Sequence, residues 1–352
     1  MRLDELDTPV PVVDLDKVER NLRRMQDYCD RHGLKLRPHI KTHKLPQFAR
    51  AQVELGAVGI TCQKIGEAEV MADAGLSDIL ISYPIVGQPK VARLAGLASR
   101  VRLTCAVDNA VALDTVATAA AQAEAEIGVL VEFDSGNGRT GVVSVEQALD
   151  LARAAAARPH VRFRGLMTYP SSARSAAFVA AARPVFEAAG LPIEMVSGGG
   201  TPEAWSAHTV AGIGEYRVGT YVYHDRATVG AGAADLDDCA LLVHATVVSR
   251  PTDDRAIIDA GSKTLSSDKV DPALGAGHGV VLGYPDAVIV RLNEEHGIVD
   301  LSRSVRKPEI GERLRIVPNH VCVVTNLHDE VVVARGDMVE GVWPVPARGK
   351  TR

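Results

Sequence analysis

Residues 34–44 read Leu34-Lys35-Leu36-Arg37-Pro38-His39-Ile40-Lys41-Thr42-His43-Lys44. From Leu34 to Ile40 apolar and polar positions alternate, the pattern of a strand with one buried face. The chain then delivers Lys41 at the strand end, between His39 and His43 and just ahead of a second cation, Lys44. Neighbouring positive charge and partial burial lower the pKa of a lysine and release a nucleophilic amine, which condenses with carbonyl compounds to Schiff bases. The competing reading, a solvated basic loop, accounts for the charges but not for their place at the end of a strand.

Outward from this segment, residues 10–235 alternate β-branched runs with Ala/Leu/Glu/Arg-rich segments. Strands are expected at Leu34–Ile40, Val58–Cys62, Asp78–Ser82, Val101–Val107, Gly128–Asp134, Val161–Met167, Ile193–Ser197 and Glu215–Gly219. Helical patterns lie between them, at Leu45–Leu55, Ile65–Ala74, Val145–Ala157 and Ala176–Ala189. Eight strands alternating with helices predict an α/β fold, a parallel (β/α)8 TIM-type barrel, over residues 1–235. Val10–Asp14 is an additional strand that leads in from elsewhere, and residues 1–14 are a candidate for packing with the later domain. From residue 236 to 352 helical periodicity nearly vanishes, and β-like runs separated by turns, Val321–Asn326 among them, predict a C-terminal all-β domain.

Composition narrows the function classes. The chain has 352 residues, 46% hydrophobic and 24% charged, as a packed globular protein requires. Aromatics are only 4% and the net charge is −5, so neither stacking surfaces nor a basic field recruits nucleic acid. Five scattered cysteines (Cys29, Cys62, Cys105, Cys239, Cys322) fit reduced thiols in the cytoplasm better than a disulfide framework. The first residues, Met-Arg-Leu-Asp-Glu-Leu-Asp, are too acidic for a signal peptide, and no uncharged apolar run of about 18 residues predicts a membrane span.

A barrel of this type carries its chemistry at the C-terminal ends of its strands, and the unusual residues fall there. Lys41 follows the first strand; Asp134-Ser-Gly-Asn-Gly-Arg139-Thr-Gly141 follows the fifth; Thr168 and Tyr169 end the sixth; Ser197-Gly-Gly-Gly-Thr201 ends the seventh; Gly219-Thr220 ends the eighth. Consecutive glycines let backbone N–H groups converge on an anion, so Ser197–Thr201 is a candidate phosphate cradle, although such runs are more often plain turns. Arg139 is a candidate partner for a phenolate oxygen, because a guanidinium keeps its proton. In the later domain, Pro318-Asn319-His320-Val321-Cys322 read as a strand puts His320 and Cys322 on one face. An imidazole nitrogen and a thiolate suit Zn²⁺, and two protein ligands leave positions open for water or substrate.

Taken together these residues resemble the fold type III pyridoxal-phosphate enzymes, in particular the D-threonine aldolase / D-serine dehydratase family, whose barrel is related to alanine racemase. The resemblance runs over nearly the whole chain and rests on Arg37–Lys44, the ordered barrel loops and Pro-Asn-His-x-Cys. It implies that Lys41 holds pyridoxal 5'-phosphate as a Schiff base. It implies that Gly199, Gly200, Thr201, Gly219 and Thr220 surround the phosphate, that Arg139 faces the phenolic oxygen, and that Tyr169 and Arg217 are candidates at the pyridine edge. His320 and Cys322 would bind a divalent metal, zinc first with manganese or magnesium as options, beside the hydroxyl of a 3-hydroxy-D-amino acid. One departure is Thr168-Tyr169-Pro170-Ser171-Ser172, where relatives tend to carry a Gly-Tyr-Glu-Gly-His-like loop.

The resemblance implies a lyase of one of two kinds. In a dehydratase acting on D-serine or 3-hydroxy-D-aspartate, Lys41 takes the Cα proton. In an aldolase of the D-threonine type, a base such as His43 or a metal-bound hydroxide takes the hydroxyl proton. Cys322 leans toward the dehydratase, since its counterpart is often Cys there and Asp in the aldolases. An amino-acid racemase would need a tyrosine from the β-domain, where Tyr284 is the sole tyrosine after residue 223. A non-catalytic protein of pyridoxal-phosphate homeostasis would have no use for the metal pair. Two-domain relatives often pair, so a homodimer is expected.

Overall fold

The computed structural model describes the backbone of residues 1–352 and every side chain but that of Leu274. The chain packs as two compact units. One is made of Met25–Lys41, Pro46–Gly219 and Lys350–Arg352; the other of Met1–Arg24, Thr42–Leu45 and Thr220–Gly349.

The first unit is the barrel that the alternation predicts. With β1 assigned to Val10–Asp14 in the other unit, its strands are β2 (Lys35–Leu36), β3 (Ile60–Cys62), β4 (Asp78–Ile81), β5 (Arg102–Val107), β6 (Ile127–Glu132), β7 (Val161–Met167), β8 (Met195–Gly199) and β9 (Glu215–Arg217). They pair in parallel in the order β2-β9-β8-β7-β6-β5-β4-β3. Helices fill the crossovers, among them Pro46–Glu54, Ile65–Asp73, Ala110–Ala123, Val145–Ala156 and Ala173–Ala188. Two of them begin where the sequence supplies a capping side chain. Asn109 accepts from Ala112 N–H at 2.9 Å and Ser144 from Gln147 N–H at 3.2 Å, each satisfying a donor that a helix start leaves orphaned.

The expected strand Leu34–Ile40 is cut to Lys35–Leu36, because Pro38 has no N–H to give a ladder. Extended pairing nevertheless continues on both sides of it. Arg37 and His39 N–H donate to Tyr216 and Val218 carbonyls at 3.0 and 2.7 Å, while Val58 and Thr61 N–H donate to Leu36 and Pro38 carbonyls at 2.9 and 2.8 Å. An isolated parallel bridge, His39 to Thr61, joins this stretch to β3 and closes the ring.

A chain of buried charge threads the ring. Arg37 Nη1 donates to Asp78 at 2.6 Å and its Nε to Glu215 at 2.7 Å. Glu215 also accepts from Ser197 Oγ at 2.6 Å, and Ser197 Oγ accepts from Arg217 Nη1 at 2.6 Å. Arg37, Glu215, Ser197 and Arg217 are all buried. Removing one member of such a pair strands the other without water. Arg37→Ala is therefore expected to cost about 3–5 kcal/mol of unfolding free energy, measurable in a denaturant titration. A loss below about 1 kcal/mol would mean the pair behaves like exposed charges.

The second unit is a sheet-built domain, as the β-like runs after residue 236 lead one to expect, and it also takes in residues 1–24, 42–45 and 220–235, which the sequence reading placed with the barrel except for residues 1–14. Its strands are β1, β10 (Leu241–Thr252), β11 (Arg255–Ile258), β12 (Val280–Val281), β13 (Val288–Leu292), β14 (Gly297–Asp300), β15 (Arg313–Val317), β16 (Glu330–Arg335) and β17 (Met338–Pro344). The order is β13-β14-β11-β10-β1-β16-β17, with β15 joining β10 and β12. β1 runs antiparallel to β10 and parallel to β16, and its Val12 packs with Leu6, Val332 and Ala334.

One expectation in this unit fails. Val321–Asn326 is not a strand but lies in a short helix, Val321–Leu327. Its β-branched residues favour a strand locally. The buried positions, however, are Val321, Val324 and Thr325, a spacing of three and four that only a helix presents on one face. Burial of that face overrides local propensity.

Candidate active site

The barrel unit gathers its candidates at the C-terminal strand ends. Lys41 lies in the turn after β2 and is half-buried; its N–H approaches His39 Nδ1 at 3.3 Å. His39 is in turn held by Gln63 Oε1 at 3.0 Å and by Ser82 Oγ at 3.3 Å.

The glycine run emerges from β8 and is clamped from two directions. Ser171 N–H donates to the Gly199 carbonyl and Ser171 Oγ accepts from Gly199 N–H, both at 2.9 Å. From the neighbouring strand, Tyr216 Oη donates to the Gly200 carbonyl at 2.5 Å. Burial pushes the Tyr216 phenol above its ordinary value and keeps it a donor. Gly200 sits at φ +134°, where a side chain would be strained, and a Cβ on Gly199 would come within 2.6 Å of the Arg217 carbonyl. Among the described residues, the N–H groups of Gly200 and Thr201 have no hydrogen-bond acceptor. Two adjacent free donors on a clamped, left-handed turn fit an anionic group such as a phosphate.

Arg217 reaches across from β9. Its guanidinium donates to Ser197 Oγ and, at 2.9 Å, to the Thr168 carbonyl. Burial draws its pKa down to about 10 against the pull of Glu215 and Glu132, so it remains a cation at neutral pH. Burial holds the Glu132 carboxyl above the usual range, opposed by the Thr140 hydroxyl, Arg217 and Arg139, and its Oε2 has no partner. In the loop after β6, Asp134 Oδ1 gathers the N–H groups of Gly136, Asn137 and Gly138. Arg139 follows, exposed, with its guanidinium 5.0 Å from the ring of Tyr169. Gly219 ends the segment Pro46–Gly219 of this unit, and Thr220 opens a tight turn, Thr220–Val222, in the other.

The sheet-built unit brings His320 and Cys322 together, but not as a strand would. His320 is the extended residue that caps Val321–Leu327, and Cys322 lies in that helix's first turn. The two side chains are within hydrogen-bonding reach of each other. Burial opposes protonation of His320, but hydrogen bonds to Asp225 and Cys322 prevail and push its pKa up to about 11. His320 Nδ1 lies 2.9 Å from Asp225 Oδ2, and Thr42 Oγ1 lies 3.2 Å from Cys322 Sγ. Thr42 is the residue after Lys41 in the chain.

Of the five cysteines Cys322 alone is not fully buried, and burial pushes the thiols of Cys29, Cys105 and Cys239 up to about 12. Nitrogen and sulfur donors converging at a partly exposed point fit a borderline-soft divalent ion. Among the described residues no group of three or more His, Cys, Asp or Glu could hold a metal.

His43, also in this unit, is fully buried, and its Nδ1 accepts Leu45 N–H at 3.0 Å. The ring proton of the neutral form therefore sits on Nε2, which makes that nitrogen a donor and not a base. Tyr284, the tyrosine that a racemase reading would call on, donates from Oη to Glu312, and its ring lies under Arg306. Sequence reasoning missed Ser171, Tyr216, Asp225 and Thr42. Only Ser171 had a local signal, its place in the departing Thr168–Ser172 loop. No helix among the described residues is long and apolar enough to cross a membrane.

Comparison with known proteins shows the family and the fold. The profile of the alanine racemase N-terminal domain matches residues 13–227, and that of a putative serine dehydratase domain matches residues 240–334. D-threonine aldolase of Arthrobacter sp is 39% identical, over 99% of this chain and 95% of that protein. The crystal structure of D-threonine aldolase from Filomicrobium marinum superposes with a TM-score of 0.90 at 34% identity, covering 100% of this chain and 98% of that one. Two solved variants of D-threo-3-hydroxyaspartate dehydratase, both 31% identical, superpose with TM-scores of 0.86 and 0.85 over 98% of this chain and 96% and 98% of theirs. One replaces a histidine; the other, in a metal-free form, replaces a cysteine two positions further on.

Proposed function

The chain belongs to the D-threonine aldolase / D-serine dehydratase family of pyridoxal-phosphate lyases, built on an alanine racemase-type barrel, and on that premise we propose that it removes water from 3-hydroxy-D-amino acids with the help of a divalent metal. The observation that carries this reading is the His320–Cys322 pair, with the same His-x-Cys spacing that the dehydratase variants alter. D-serine and 3-hydroxy-D-aspartate are the substrates it favours.

Lys41 would hold the pyridoxal phosphate. Gly199, Gly200, Thr201, Gly219 and Thr220 would surround the phosphate, Arg139 would face the phenolic oxygen, and Tyr169 and Arg217 would lie toward the pyridine edge. When bound, this cofactor supplies an electron sink for bonds broken at Cα. The metal, held by His320 and Cys322, would supply a Lewis acid for the substrate's hydroxyl oxygen. The chain's own residues do the rest. Lys41 Nζ, freed when the substrate's amine takes its place, would accept the proton from Cα as a positioned base, with the hydroxyl leaving toward the metal side. Ser171 and Tyr216 keep the glycine turn rigid, so that its free N–H groups need no reorganisation to receive an anion. Arg217 stays charged and immobile, fixed by Ser197 and the Thr168 carbonyl. Thr42 holds the Cys322 sulfur in place.

A second reading, cleavage of Cα–Cβ to glycine and an aldehyde, is favoured by the 39% identity to a D-threonine aldolase. It requires a base for the substrate hydroxyl; the Nε2–H form of His43 does not supply one, which leaves that role to a metal-bound hydroxide, and elimination is placed first on the thiolate of Cys322. The deciding assay incubates metal-loaded protein with D-serine, D-threonine and 3-hydroxy-D-aspartate. Ammonia with a keto acid supports elimination; glycine with an aldehyde overturns it in favour of the aldolase.

Zinc belongs to the same reading because a thiolate selects it over magnesium or manganese. Cys322→Asp is expected to lower bound zinc and raise the share of activity that Mn²⁺ supports, read by elemental analysis alongside turnover. Unaltered metal content and activity would show that Cys322 is not a ligand. A homodimer in the cytoplasm completes the reading, supported by the resemblance, and light scattering of the purified protein tests the dimer.

A further inference from the structure

We propose that Asp225 is the positioning residue of the metal centre: its buried carboxylate fixes the ring proton of His320 on Nδ1 and so presents Nε2 as the ligand. The inference rests on the reading of His320 and Cys322 as metal ligands, and goes beyond it by assigning a residue that touches neither metal nor substrate.

The chain places Asp225 with care. After the turn Thr220–Val222, His224 takes a left-handed conformation, φ +49°, which a β-carbon makes costly, and Asp225 returns to extended backbone. Two backbone bonds then zip this stretch to the one carrying the histidine: Arg226 N–H to the Pro318 carbonyl at 3.1 Å and Ala227 N–H to the Asn319 carbonyl at 3.3 Å. They fix the register in which Asp225 meets His320.

The carboxylate divides its two oxygens between two tasks. Oδ1 accepts Thr228 N–H at 2.9 Å, and Thr228 Oγ1 accepts Asp225 N–H at 2.9 Å, a reciprocal cap on the helix Arg226–Gly230. Oδ2 lies 2.9 Å from His320 Nδ1 and accepts Val321 N–H at 3.2 Å. Asp225 is wholly buried, so no water competes for these positions. In the neutral ring that metal binding requires, a carboxylate facing Nδ1 acts as acceptor, so the one ring proton sits on Nδ1 and the Nε2 lone pair is left for a metal. A carboxylate behind a metal-bound histidine orients the ring and raises its basicity.

Asparagine at this position separates the two tasks. Its carbonyl still caps the helix, for which it is a preferred residue, while its NH₂ faces His320 and Val321. Nδ1 must then accept, and the ring proton moves to Nε2, the wrong tautomer for a ligand. The test measures Zn²⁺ affinity of the full-length, cofactor-loaded protein by competition with a colorimetric chelator. Asp225→Asn is expected to weaken Zn²⁺ by about 10- to 100-fold. Thr228→Val removes the other half of the same cap without touching His320, and is expected to keep Zn²⁺ affinity within about threefold of the parent. Equal loss in both variants would make Asp225 a structural cap only and overturn the proposal, as would parent-like affinity in Asp225→Asn. His320→Ala distinguishes the levels: if it too binds Zn²⁺ like the parent, the metal reading itself fails and the inference falls with it.

Discussion

Replacing Lys41 by alanine is expected to abolish the visible absorbance of covalently held pyridoxal phosphate and to cut turnover by more than about 10³-fold. Two losses combine in that figure. The amine is the cofactor's point of attachment, and in the elimination reading it is also the base at Cα, a role worth roughly 10²- to 10⁴-fold by itself. The free donors of Gly200 and Thr201 and the cationic Arg217 are untouched by the change, so a fraction of cofactor should still associate reversibly. Difference spectroscopy and a turnover assay on the same sample check both halves. An unchanged spectrum in Lys41→Ala would end the assignment of the Schiff base to this residue.

Stripping the metal is expected to stop turnover while leaving the cofactor spectrum intact. A Lewis acid on the leaving oxygen supplies several kcal/mol, so its loss should lower the rate by about 10³-fold or more. The spectrum should survive because Lys41 and the glycine turn belong to one packed unit of the chain and His320 and Cys322 to the other. Chelator treatment followed by dialysis, with Zn²⁺ added back to restore activity, is the direct measurement. Full activity in a chelated sample with no detectable metal would remove the metal from the mechanism and return the His320–Cys322 pair to a structural role.

Much of this molecule can be read along the chain. The period of the hydrophobic pattern switches between two and 3.6 residues, and each switch marks a barrel strand or helix. Lys41, the glycine run before Thr201 and His320-x-Cys322 are short-range signals, visible because their residue types are unusual for the places they occupy. Reading fails where the deciding contact is distant. Val321–Asn326 looks like a strand because Val and Thr favour one, and only the burial of Val321, Val324 and Thr325 together makes it a helix. His43 looks like a base until the N–H of Leu45, two residues on, occupies its Nδ1.

By itself, then, the sequence determined the barrel and the sheet-built second unit, and it singled out the lysine, glycine and His-x-Cys positions to which the chemistry is here assigned, because periodicity and residue type are local properties. Tertiary structure decided what holds those groups still: Ser171 and Tyr216 on the glycine turn, Thr42 on the Cys322 sulfur 280 positions away, and Asp225 on an imidazole 95 positions away. The physical reason is that a hydrogen bond is settled by where two atoms meet in space, and across such separations no local preference of the chain records the meeting.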